Sequence, residues 1–470
     1  MRKLILALSF FKIVSMFFIT TTIAQTSVNA GAPLLQELIE SAIHKDYELK
    51  NKQLDVALTE VDLKKVNDSF LPRVNIVAQD AFSYMSVGLT SKELSIPLLN
   101  IDIKEGHNRF NTSSNTLTAG ANLTMLLYSG KKVSHSKKAL ENKSEAQKLI
   151  METDRQQIMS KVIATYDQLA LLKQVKRVLD EASIRLDENK KTADKALSYG
   201  LTTKYEHQKI EVARAQLASR IVEYQGKRKL ILKQLNLLTN IVEARLLQID
   251  NNLETITVDH IGGSIKNRAE LRSLDAALRA GEYKVRAEKT WIIPKVSMLG
   301  NIGYMGAFNR HISSSRPFYP DGPKLSSDAP SISVFPTLMI GVAAKWDIFD
   351  GHTGKYEVRK AVLELQQTQN NKSDMNEKLE LNLAKCKTDY MIAIAQIVTK
   401  AAQQQTAENA LKQATKEFRN GLIKSLQLID AENDLEQAAL DYINGIYTQR
   451  RAAIDLLMAT GDLNIAAIIH

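Results

Sequence analysis

The sequence predicts a mainly α-helical protein that carries a membrane β-barrel part and is written as two copies of one half. Three observations predict it. Landmark pairs recur at one fixed offset, four segments alternate apolar and polar residues, and two very long stretches lack proline and glycine. Composition agrees. With 9 prolines and 20 glycines in 470 residues, long helices are favoured over a turn-rich all-β body. Charged residues make up 24% and the hydrophobic set 44%, a balance that supports a folded core.

The chain begins with an export-type segment. Met1, Arg2 and Lys3 give a basic start, and Leu4 to Phe18 is largely apolar, interrupted by Lys12. Small residues follow, so residues 1–30 are expected to be a signal peptide cleaved after Ala24 or Ala30. A retained anchor is disfavoured, because a spanning helix needs about 20 apolar residues.

The repeat is read from matching landmarks. Tyr128-Ser129-Gly130 matches Phe349-Asp350-Gly351, Gly200-Leu201 matches Gly421-Leu422, and Thr239-Asn240 matches Thr460-Gly461, each at an offset of 221. Leu71-Pro72 and Ile293-Pro294 match at 222. Residues 34–250 and 251–470 are therefore expected to be two structural repeats.

Each half opens with a helix, Leu34 to about Ser69 or Ser264 to about Lys289, which should stop at Pro72 or Pro294. Strands are expected at about 72–87, 116–128, 294–308 and 336–349. The clearest alternation is Leu117, Ala119, Ala121, Leu123, Met125 and Leu127 against Thr118, Gly120, Asn122 and Thr124. The pattern is that of a membrane barrel, apolar outward and polar inward, and the length suits a tilted bilayer-spanning strand. Polar stretches at about 88–115 and 309–334 are expected to be long outer loops.

A long helix follows each strand pair. Apolar residues recur at helical spacing at Ile158, Val162, Leu169, Leu172 and Leu179, and again at Leu379, Leu383, Cys386, Tyr390, Ala393 and Ile397. Each helix breaks at a glycine, Gly200 or Gly421, and a second helix returns, giving two antiparallel hairpins. Cys386, the single cysteine, falls on the seam and is expected to be a small core residue.

Four membrane strands cannot stand alone in lipid, because open edges leave backbone groups unsatisfied. The chain must therefore oligomerise. Two copies would give eight strands and three would give twelve; the strand count alone does not choose.

The order of these features resembles the TolC family of outer-membrane efflux proteins over nearly the whole mature chain. The resemblance implies a homotrimer, with a twelve-stranded barrel continued by an α-helical barrel in the periplasm. It implies an exit duct for tripartite efflux pumps or type I secretion, with a periplasmic adaptor (membrane fusion protein) and an inner-membrane transporter as partners. It also implies a gate at the hairpin tips, at Tyr205, Glu206, Phe418, Ile423, Gln427 and Asp430. Phe418 and Ile423 stand where the family has a tyrosine and an arginine, and Gln427 replaces an acid, while Asp430 retains one.

Other classes find little support. The net charge of +10 is spread over mixed-sign helix faces, so nucleic acid is not expected as a partner. No GxxxxGK[ST], HExxH or GxSxG occurs, so neither an enzyme nor a cofactor is expected. His135 and His352 are expected to be isolated surface residues. The rival reading is a periplasmic coiled-coil adaptor or structural protein without a pore. An adhesin using the long loops is weaker still.

Overall fold

The computed structural model describes residues 31–465, except 93, 97–100, 104–105, 201, 251, 259–261 and 318–322. The expected signal peptide, residues 1–30, lies outside the described residues. The first half runs through α1 (Leu35–Lys45), α2 (Tyr47–Asn67), β1 (Arg73–Ser91), β2 (Leu94–Ile96), β3 (Ile101–Ile103), β4 (Gly106–Tyr128), α3 (Lys132–Ser198) and α4 (Lys204–Thr239). After the short α5 (Glu243–Leu246), the second half runs through α6 (Ala269–Glu288), β5 (Lys295–Pro317), β6 (Lys324–Ala329), β7 (Ile332–Lys345), α7 (Thr353–Arg419) and α8 (Ser425–Thr460).

The duplication is visible residue by residue. Helices α3 and α7 both have 67 residues, and α4 and α8 both have 36. Their starts keep the offset of the sequence landmarks, Lys132 against Thr353 and Lys204 against Ser425. At 1.5 Å per residue the long helices reach about 100 Å. Left-handed backbone recurs at the same offset. Gly130 and Lys131 (φ 65° and 70°) match Gly351 and His352 (67° and 72°), and Asn240 (62°) matches Gly461 (83°). Glycine at 130 also answers a close approach, since a Cβ there would lie 2.8 Å from the Ile293 side chain.

The main sheet is antiparallel. Its order is β1-β4-β5, with β6 and β7 both bonded to the far edge of β5. The register sorts the side chains. Ile76, Ala121 and Ile302 are aligned across three strands, and Leu338 continues the row on β7. The opposite face carries Asn75, Asn122 and Asn301, the last two joined by a 2.7 Å hydrogen bond. The apolar face is bare: Ile76 is 81% exposed and Leu338 69%. No helix among the described residues is long and apolar enough to cross a membrane.

The expected loops are largely strand. β1 runs to Ser91, β4 begins at Gly106, and β5 continues to Pro317 with β6 paired beside it. β7 also ends at Lys345 instead of 349. With 19 and 23 residues, β1 and β4 exceed the 9–11 that span a bilayer, so a paired ribbon extends past the lipid. Beyond the hydrocarbon both faces can be polar. Ser, Thr and Asn then replace the alternation that marks the membrane segment.

The helices form one extended layer. α3 packs against α2 and α6 in its upper part and against α4 and α8 below, whereas α7 packs mainly against α6 and α8. The principal core gathers α1, the middle of α3 and α7, and the ends of α4 and α8. Cys386 is buried on that seam, and burial pushes its thiol pKa up. The segment 253–258 crosses the layer as a strap. The Tyr390 hydroxyl accepts from Val258 N–H at 3.0 Å, and Gln449 bonds both the N–H and the C=O of Ile256.

His135 departs from expectation. It is half-buried, its ring stacks 6.3 Å from Tyr283, and its Nδ1 has no partner among the described residues. Burial holds its pKa below the usual value, aided by Arg286, Lys131 and Lys138. His352 is exposed but not isolated, lying edge-on to Phe349 at 5.3 Å.

Candidate duct gate at the hairpin tips

The two tips reuse one backbone device. α3 and α7 each end in a left-handed glycine, Gly200 (φ 71°) and Gly421 (72°). The Gly421 N–H bonds the Phe418 carbonyl at 3.0 Å, and the Leu422 N–H bonds Glu417 at 2.9 Å. These bonds satisfy the last carbonyls of the helix, which only an αL residue at this position allows at low strain.

The returning helices are capped differently. Thr203 Oγ1 accepts from the Glu206 N–H at 3.3 Å in the first hairpin. In the second, the Lys424 N–H donates to Gln427 Oε1 at 3.0 Å. Gln427 is therefore a capping residue. A side-chain amide reaching back to the start of the helix needs the i, i+3 spacing that Lys424 and Gln427 have.

Of the remaining expected tip residues, Tyr205 is exposed, with Lys209 Nζ 5.4 Å from its ring centroid. Glu206 is half-buried, and its Oε2 has no partner among the described residues. Phe418 and Ile423 are half-buried, and Asp430 is exposed.

The contacts that tie the hairpins lie above the tips, on residues that sequence reasoning missed. Ile429 is buried among Leu179, Leu186, Ala193, Ile210 and Leu217 of the first hairpin. One turn along α8, Asn189 Nδ2 donates to Glu432 Oε1 at 2.5 Å, and Arg220 pairs with the buried Glu436. Burial pushes the Glu432 carboxyl pKa up, against the Asn189 hydrogen bond and the Arg185 charge. The Arg185 Nε is buried beside them without a partner among the described residues. The available signal was the spacing of Ile429, Glu432 and Glu436, which share one helix face.

A second tie sits at the core. Arg450 of α8 donates from Nε to Asp167 Oδ2 of α3 at 2.8 Å, and from Nη1 to the Glu254 carbonyl of the strap at 3.2 Å. Asp167 is fully buried and its other oxygen has no partner among the described residues. Burial pushes its pKa up, and Arg450 opposes the shift.

Comparison with known proteins decides the family. The model described as "Outer membrane efflux protein" matches residues 38–240 and again 261–462, once in each half. The chain belongs to the outer membrane efflux protein family. No curated protein matches the sequence. Among solved structures, a membrane protein from Pseudomonas aeruginosa has a similar fold at a TM-score of 0.71 and 15% identity. The match covers 91% of this chain and 93% of the other. The CmeC outer membrane channel of Campylobacter jejuni is similar at 0.68 and 18%, covering 91% and 85%. The VceC outer membrane protein of Vibrio cholerae is similar at 0.68 and 18%, covering 91% and 96%. As an outer membrane efflux protein, the chain is an exit duct in the outer membrane with its helical part in the periplasm, and it is not an enzyme.

Proposed function

We propose that three copies of this chain close into one twelve-stranded barrel and one helical duct. The observation that carries this reading is the sheet itself. Its apolar face is bare, and among the described residues its outer strands β1 and β7 each present an unpaired edge. In hydrocarbon an unpaired edge costs several kcal/mol per backbone group, which closure removes. Twelve strands leave a lumen, whereas eight are largely filled by side chains. The helices point the same way. α2, on the β1 side, exposes Leu54, Leu58 and Val61 at helical spacing, and α7, on the β7 side, exposes Tyr356 and Leu363.

The duct would receive its cargo from an inner-membrane transporter through a periplasmic adaptor, in efflux or type I secretion. Its gate would lie at the tips carrying Tyr205, Glu206, Phe418, Ile423, Gln427 and Asp430. Three copies of Asp430 around a narrow opening would favour cations there. The test is to isolate the protein from outer membranes, follow its bands on gels with and without heating, and record it in planar bilayers. Heat-modifiable trimers with discrete conductance steps are expected. A monomer without conductance, or recovery only from soluble periplasm, would overturn the reading. For Asp430→Ala, unchanged ion selectivity and cation block would remove the acidic ring.

A further inference from the structure

We propose that the barrel segment of this duct carries a basic lining that favours anionic solutes, meaning those bearing carboxylate, phosphate or sulfate groups. The inference rests on the barrel reading above and adds the charge of its lumen.

The register sorts the charged residues by face. The face bearing Ile76, Ala121 and Leu338 must meet lipid, so the face bearing Asn75, Asn122 and Asn301 must line the lumen. Arg73 is aligned with Thr124, one alternation along from the Asn75–Asn122 pair, and so shares the lumen face. Lys295 stands directly opposite Lys345, in the same alternation as Asn301 on β5. Higher up, His311 is aligned with Ser113, and Ser113 with Tyr84 on the lipid-side alternation. Its neighbour Arg310 therefore points to the lumen. The two acids of the main sheet fall on the other face, as does Arg109: Asp80 is aligned with Leu117, Asp328 with His311, and Arg109 with Gly88.

The pairing of Lys295 with Lys345 is the most telling feature. Like charges directly opposite one another weaken a sheet. Asp347, just past the end of β7, offsets one of the two at 3.2 Å from Lys345. Among the described residues Lys295 has no ion-pair partner. Three copies would set this pair and Arg73 as a ring at the base of the barrel, with Arg310 farther up. Charges of one sign along a confined passage with low-dielectric walls raise the local concentration of counter-ions.

The test compares trimers of the full chain in planar bilayers, wild type against Arg73→Gln/Lys295→Gln/Lys345→Gln, under a KCl gradient near 0.1 M. The variant's reversal potential is expected to move toward cation preference, with the chloride-to-potassium permeability ratio falling at least about twofold. Block by added tripolyphosphate should weaken in parallel. The shift should fade near 1 M salt, where the screening length is only about 3 Å. Lys295→Arg/Lys345→Arg should behave as wild type. If the triple variant fails to assemble, Lys345→Gln at the exposed strand end should give a smaller shift of the same sign. Asp430 is present in every protein compared, so its contribution cancels. A reversal potential and tripolyphosphate block unchanged from wild type near 0.1 M overturn the inference. Absence of conductance steps from the wild type would instead overturn the duct reading itself.

Discussion

The two hairpins share a backbone and differ in what holds them. The first is laced to itself near its tip. Asp194 meets His207 at 2.5 Å, Lys190 pairs with Glu211, and Arg214 lies 3.3 Å from Asp187, all between α3 and α4. Among the described residues no ion pair joins α7 to α8. The second hairpin is held through α8 instead, by Ile429, Glu432 and Glu436 against the first hairpin and by Arg450 at the core. α7 leaves Met391, Ile392, Ile394 and Val398 exposed, whereas α3 is flanked on both sides. The lesson is that duplication preserved the scaffold while the ties became one-sided. The first hairpin is a braced wall. The second meets it directly through α8, while α7 is tied to α6 by the Lys284–Glu364 and Lys372–Asp275 pairs.

Arg450→Ala should break this arrangement most severely. It leaves Asp167 buried without its partner, a loss of about 3–5 kcal/mol for removing one side of a buried ion pair. A fall in the thermal midpoint followed by circular dichroism checks it. A midpoint equal to wild type would show that the pair does not hold α8.

Arg220→Ala should come next. Arg220 is 43% exposed on its side chain, so screening reduces the effect to about 1–3 kcal/mol, mostly from stranding Glu436. Because the contact joins the hairpins near their tips, the expected readout is a longer open time in single-channel records. The swapped pair Arg220→Glu/Glu436→Arg should restore the closed time. No rescue would mean that the charge pair is not what matters.

A smaller effect is expected from pH. Burial raises the Glu432 pKa above its ordinary 4.5, so the folded state binds this proton more tightly than the unfolded state does. Its contribution is therefore fully present below pH 4.5 and declines as pH rises through the raised value. Glu432→Gln keeps an acceptor for Asn189 and removes the titration. The difference in melting temperature between acidic and neutral pH should narrow in this variant. An unchanged difference would assign the pH dependence elsewhere, with Asp167 the next candidate.

Asp194→Asn should do least. The His207 hydrogen bond holds the Asp194 pKa below the usual range, but the group is at the surface, where such pairs are screened. A melting temperature close to wild type is expected. A large drop would show that the first hairpin depends on its lacing more than exposure suggests.

Most of the scaffold was legible because its signals are local. A helix as long as α3 needs only the absence of Pro and Gly and a recurring apolar seam. A tip needs a glycine that tolerates positive φ. The strand extensions were hidden because Thr112, Ser113 and Ser114 alternate nothing, and pairing across a ribbon is not written in hydropathy. The capping bond of Gln427 was hidden because its partner is a backbone N–H, which no side-chain pattern displays.

By itself the sequence determined the duplication, the helical hairpins, the glycine breaks and the alternating membrane strands, since each follows from periodicity and backbone preference over neighbouring residues. Tertiary structure alone decided which charges meet. Asn189 and Glu432, Arg220 and Glu436, and Asp167 and Arg450 each join positions far apart in the chain, one from each half. It also decided that Lys295 faces Lys345 on the polar side of the sheet. Register and helix packing settle these encounters, and both depend on the whole core closing at once.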